Sequence, residues 1–108
     1  MNEEQERLIQ RIKERVKKRC DEYGLEADTL LNYIEHGWEP GGFLMAVLED
    51  RLTESFCRAD GWNQQRMLGW ATVMYNDVPR DARGSKEHVG RWIAHRGLRG
   101  LMTEKTDG

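Results

Sequence analysis

Gly41-Gly42-Phe43-Leu44-Met45-Ala46-Val47-Leu48-Glu49-Asp50-Arg51-Leu52-Thr53-Glu54-Ser55-Phe56-Cys57-Arg58-Ala59-Asp60-Gly61 is the stretch that decides how this chain is read. Phe43, Leu44, Val47, Leu48, Leu52, Phe56 and Ala59 recur at three- and four-residue steps, which stacks them on one side of an α-helix. Pro40 suits a first helical position because its missing N–H has no partner there in any case, so the helix is expected to begin at about Pro40. A break falls at Arg58-Ala59-Asp60-Gly61, where the Asp60 carboxylate can accept from the free N–H groups of the helix that follows. In that second helix, which ends before Pro79, Met67, Leu68, Ala71, Met74 and Tyr75 repeat at helical spacing, with Trp70 and Val73 beside them. Gly41 to Asn76 is therefore expected to form a central helical hairpin whose two apolar sides pack on each other.

The same stretch holds the candidate ligand-binding residues. Gly41 and Gly42 open the first helical turn, where backbone can come close to another group and unpaired N–H groups favour an anion. Arg58, Asp60 and Asn63 fall within six positions and can be read as a polar cluster that grips a ligand, or as a cap and its neighbours. Trp38, in the loop ahead of Pro40, can close over the core or stack on a flat ligand.

Working outward, the chain has 108 residues, room for one domain. Leu, Ile, Val and Phe total only 21, so the core is expected to be modest and an exposed apolar face to be covered by a partner or a second copy. Net charge is −2 but unevenly laid out: residues 1–24 carry seven bases against six acids, residues 25–60 two against eight, and residues 61–108 eight against five. A basic–acidic–basic layout suits internal or intersubunit pairing and argues against a surface built wholly for nucleic acid. Cys20 and Cys57 read as reduced, buried thiols, and without a signal peptide or a long apolar run the protein is expected to be cytoplasmic, away from any membrane.

Residues 1–24 are expected to be a charged amphipathic helix, with acids at its start and Gly24 at its end. Ile9, Ile12, Val16, Cys20 and Tyr23 make its apolar line, and beside it run Arg7, Arg11, Arg15 and Arg19 at steps of four. Like charges at that spacing repel by a few tenths of a kcal/mol per pair, so an acidic segment, a phosphate or solvent must compensate. Residues 25–102 are expected to form the compact helical domain. Within it, Asp28 or Thr29 caps a short helix stopped by Gly37, and Ser85 caps a last one, with Val89, Trp92 and Ile93 inward and Gly97 as its stop. Arg80 and Arg83 begin a second basic stretch that could meet phosphate or an acidic protein. Residues 103–108 read as a disordered tail. The fold class is thus all-α, about five helices around the hairpin with a long charged N-terminal helix.

No pattern asks for catalysis, a metal or a cofactor. His36, His88 and His95 lack zinc spacing, neither cysteine sits in a Cys-x-x-Cys pair, and the glycines form no phosphate-binding loop. A helix-turn-helix with Gly61 in its turn would offer only Arg66, Gln64 and Gln65 to a groove, which makes nucleic acid the less favoured partner.

Over Tyr33 to Gly97, the run Gly37-Trp38-Glu39-Pro40-Gly41-Gly42-Phe43-Leu44, Ala46-Val47-Leu48, Arg58-Ala59-Asp60 with Asn63, Tyr75-Asn76 with Pro79, and Gly84-Ser85 with Val89 and Trp92 resembles small accessory proteins encoded by phages and prophages. The chain departs from that pattern at Arg51, where an acid is expected, and at Ala82-Arg83, where a bulkier pair is expected. The resemblance implies a phage-side role exerted stoichiometrically. Such a protein would block a host defence protein complex or, as the alternative, sequester a signalling nucleotide; a homo-oligomer is expected in either case.

Overall fold

The computed structural model describes the backbone of residues 1–107 and the side chains of residues 1–103. Its regular structure there is entirely helical. α1 (Glu3–Tyr23), α2 (Asp28–His36), α3 (Gly42–Leu48), α4 (Leu52–Arg58), α5 (Gly61–Gln64), α6 (Met67–Asn76), α7 (Lys86–Ala94) and α8 (Gly97–Asp107) follow in order, with a 3-10 turn at Arg80–Ala82. Eight helices replace the expected five or so. The tail expected to be disordered from residue 103 is instead the end of α8, helical as far as Asp107, and Thr103 donates its hydroxyl to the Arg99 carbonyl; residue 108 lies outside the described residues.

Local signals place several ends where the residue types demand. Asn2 accepts from the Gln5 N–H while Gln5 reaches back to the Asn2 N–H, a reciprocal cap that starts α1, and Gly24 ends it in the left-handed region at φ 68°. Gly37 ends α2 in the same way at φ 70°. Ser85 caps α7 by accepting from His88 N–H. α2 itself starts without a side-chain cap, at Ala27. Pro40 lies ahead of α3, whose cap position is Gly41. Gly97 begins α8, since α7 has already closed at Ala94.

The core forms where α1, α2, α6 and α7 meet. Ile9, Val16, Leu30, Ile34, Leu48, Val73 and Val89 are fully buried there, so α1 is built into the same interior as the rest. Tyr33 and Trp92 sit at its centre: the Trp92 indole N–H donates to the Tyr33 carbonyl at 3.0 Å, and the Tyr33 hydroxyl donates to the Ala82 carbonyl at 2.6 Å. Both bonds are buried, where an unmade one is expensive. Cys20 is buried, and burial pushes its thiol up to about 11; Cys57, expected inside, is exposed.

Backbone contact fixes α2 against α8. A Cβ on Gly37 would lie 2.8 Å from the Gly97 nitrogen, and one on Gly97 would lie 2.6 Å from the Glu35 carbonyl oxygen. Both residues also have positive φ. That approach sets the Glu35 carboxylate, 6% exposed, between α1 and α8: Lys13 Nζ lies 2.6 Å from one oxygen, and Arg99 Nε donates to the other at 2.6 Å. Arg99 turns its outer nitrogens to Glu6, at 2.7 and 3.2 Å. Burial works to raise the Glu35 carboxyl, but Lys13 and Arg99 together outweigh it and hold the group below its ordinary value of 4.5.

The expected hairpin is the main correction. Its first arm breaks at Asp50, which takes φ +61°, while Arg51 N–H donates to Ala46 O and Asp50 N–H to Val47 O. These are the two bonds of a Schellman closure, with aspartate in the left-handed position that glycine usually holds. The second arm breaks at Gln65-Arg66. α3 packs on α6 through Phe43 and Trp70, whose rings meet edge-on at 5.8 Å. α4 packs back on α3 and buries Ser55, with Ala59 buried just after it, and leaves Leu52 and Phe56 exposed. α6 buries Gly69, Trp70, Val73 and Met74 and half-buries Met67, so of the expected set Met67, Leu68, Ala71, Met74 and Tyr75 the three residues Leu68, Ala71 and Tyr75 stay outside, and Trp70 and Val73 take the core side.

Two outcomes test this description. Gly97→Ala should lose about 3 kcal/mol or more in urea unfolding, because a methyl meets the Glu35 carbonyl at a left-handed φ. Because the folded-state pKa of Glu35 is depressed, its contribution is full above the ordinary carboxylate value and is lost as pH falls below it. Acid titration of stability should therefore show a steeper loss below about pH 4.5 for the native chain than for Glu35→Gln.

Candidate functional site

Apolar residues that the sequence marked on α4 and α6 line one open groove of about 470 Å³. Leu52, Phe56, Met67, Leu68, Met74 and Tyr75 line it. Exposure reaches 68% at Leu52, 74% at Leu68 and 79% at Tyr75, far more than large apolar residues keep when their surface is finished. Arg83 lines the same groove, and its buried Nε has no acceptor among the described residues.

The polar cluster proposed from spacing is not assembled into a pocket. The Asp60 carboxylate accepts from Asn63 N–H at 2.7 Å as the cap of α5. The Asn63 side chain accepts from the Trp70 indole N–H at 3.0 Å. Arg58 donates to Glu54 at 2.6 Å, and strong pairing with Arg58 holds the Glu54 carboxyl below the usual carboxylate range. Gly42 and Arg58 do meet: a Cβ on Gly42 would lie 2.6 Å from an Arg58 terminal nitrogen, so the opening the glycine leaves is filled by this guanidinium. Gly41 is exposed with nothing near it.

Trp38 is 60% exposed and covers no core. Its ring stacks on His36 at 4.8 Å and 23°, at the edge of a cleft of about 410 Å³ that also takes in His95, Arg96 and Arg99. Arg96 stands there at φ +65°. Sequence spacing did not bring these residues together, because the cleft exists only where Gly37 and Gly97 join α2 to the α7–α8 corner.

The arginines expected to meet phosphate or a partner divide. Arg19 Nε donates to Asp77 at 2.8 Å and Arg15 lies 3.8 Å from the same carboxylate, whose side chain is 3% exposed. These two ties bind α1 to the end of α6 and supply the compensation that the four-residue arginine ladder required. Arg7, Arg11 and Arg80 are exposed. Among the described residues no cluster of histidine, cysteine or carboxylate side chains could hold a metal, and no helix is long and apolar enough to cross a membrane.

No protein-family model matches the chain, and neither a curated protein nor a solved structure does. The groove residues were within reach of the sequence by one signal: Met67–Asn76 is apolar around its whole circumference, and a short helix in a small domain cannot bury every side.

If Asp60 serves only as a cap, Asp60→Ala should lower stability by about 1 kcal/mol in urea unfolding and leave the folded protein's binding properties unchanged.

Proposed function

We propose that this protein acts stoichiometrically, by binding and without turnover, as a phage-type accessory protein that blocks a host defence protein complex in the host cytoplasm. The open apolar groove between α4 and α6 supports that reading. Most of its lining is apolar, with Leu52, Phe56, Leu68 and Tyr75 able to release water on contact as the centre of a protein interface does, while Asp50, Arg51 and Arg83 line the same groove. The resemblance of the sequence to small phage accessory proteins suggests the biological setting.

A second reading, sequestration of a signalling nucleotide, draws its support from the Trp38 cleft instead of the Arg58, Asp60 and Asn63 set. An exposed indole beside Arg96 and two histidines offers a stacking surface and cationic donors. A nucleic-acid regulator is the weakest of the three, since Arg15 and Arg19 are already committed to Asp77.

Expression of the chain in a panel of bacteria, each carrying one defence system, should restore phage plating on at least one. Leu68→Asp, at an exposed position, should remove that effect while the protein stays folded, because losing a central apolar contact costs about 2 kcal/mol of binding. A rise of several degrees in melting temperature with a cyclic dinucleotide, together with no effect on any defended host, would replace this reading with the second.

A further inference from the structure

At the α7–α8 corner two consecutive residues are left-handed, Arg96 at φ 65° and Gly97 at φ 69°. Gly97 has no alternative there, because any Cβ would strike the backbone of α2. Arg96 has one, since glycine or asparagine takes that conformation more easily, whereas an arginine Cβ crowds the carbonyl that follows. Its guanidinium gives the fold nothing in return: it is exposed, and among the described residues no carboxylate pairs with it. The other polar groups of the cleft beside Trp38 are already committed. Arg99 pairs with Glu6 and Glu35, His36 lies 3.7 Å from Glu35, and His95 meets the Gly97 carbonyl through Nδ1 while its ring stands edge-on to Trp92 at 5.0 Å. The His36 ring covers one face of the Trp38 indole, and with 60% of the residue exposed the other face stands in water. The cleft thus offers one free cation and one free aromatic face, and none of its described lining residues is acidic.

Resting on the reading of this cleft as a stacking site, and apart from the groove, we propose that it binds a single flat ring bearing one oxyanion, the ring on the open face of Trp38 and the oxyanion on the Arg96 guanidinium. A guanidinium makes its strongest hydrogen bonds to a carboxylate or phosphate, whose oxygens match its fork. A ring laid on the indole adds stacking that any flat heterocycle supplies. Arg96 is then retained for a contact outside the chain although it strains the turn it stands in, as residues at binding sites do. A nucleoside monophosphate carries both groups, so one such unit, or one half of a larger signalling nucleotide, fills the cleft.

Titration calorimetry of the full chain with adenosine 5′-monophosphate, adenosine and inorganic phosphate tests both contacts. The monophosphate should bind at least about tenfold more tightly than either fragment. Arg96→Gly should bind it at least about tenfold more weakly while melting within about 2 °C of the native chain or above it, since glycine relieves the left-handed turn. Trp38→Ala should weaken binding by about the same factor with no change in melting, and Trp38→Phe should recover most of it, because a ring remains to stack on. The proposal is overturned by equal binding of the monophosphate and inorganic phosphate, by native-like binding in Arg96→Gly or Trp38→Ala, by a melting temperature more than about 2 °C lower in Arg96→Gly, or by no binding of any probe at about 5 mM. A cyclic dinucleotide that binds where the monophosphate does not would end this inference and leave nucleotide sequestration standing. If the monophosphate binds as stated and no cyclic dinucleotide does, sequestration of such a signal falls and the site stands.

Discussion

Gly37 and Gly97 lie so close that neither can carry a side chain, and the architecture follows from that contact. It brings the end of α2 onto the start of α8 at backbone distance. Tyr33, one turn earlier on α2, can then accept from Trp92, and Glu35 can reach α1 and α8 together. A larger residue at either glycine would push the two helices apart and leave a buried carboxylate short of its partners. Such a loss is severe, because an unpaired charge in the interior is far costlier than the pair is favourable.

Part of the charge ties the helices together. Lys13, Arg15 and Arg19 of α1 each find a carboxylate on another helix, Glu35 of α2 or Asp77 beyond α6. Arg99 closes the circuit from α8 to Glu6 and Glu35. The basic N-terminal segment and the acidic middle are thus parts of one internal arrangement. An apolar interior built from few aliphatic residues gains a defined register from these pairs, since each carboxylate has its own partners.

Exposed apolar side chains gather at one groove, although Trp38 and Trp62 are exposed elsewhere. The Schellman turn at Asp50 and the break at Gln65-Arg66 divide the expected hairpin into four short helices, of which α3 packs inward and α4 packs back on α3. α4 and α6 therefore keep large side chains facing a groove instead of each other. Leu52, Leu68 and Tyr75 are thereby left in water, a contiguous apolar surface of the kind that marks interaction sites in small domains.

The all-α class and several helix ends were legible in the residues alone, whereas α8 and the breaks inside the expected hairpin were not. The legible ends depend on contacts within four positions: Asp60 with Asn63, Ser85 with His88, and the left-handed glycines 24 and 37. The break at Asp50 escaped because aspartate tolerates the left-handed conformation without announcing it as glycine does. The site escaped for another reason. Arg58, Asp60 and Asn63 are neighbours in sequence, yet each is satisfied by a different group nearby, whereas Trp38, His95 and Arg96 meet only because two glycines touch. Periodicity marks an apolar stripe but not its destination. For α6, with apolar residues on every side, tertiary packing alone decided that Trp70 and Val73 turn inward and that Leu68, Ala71 and Tyr75 remain outside, because α1 and α3 cover only one side of that helix.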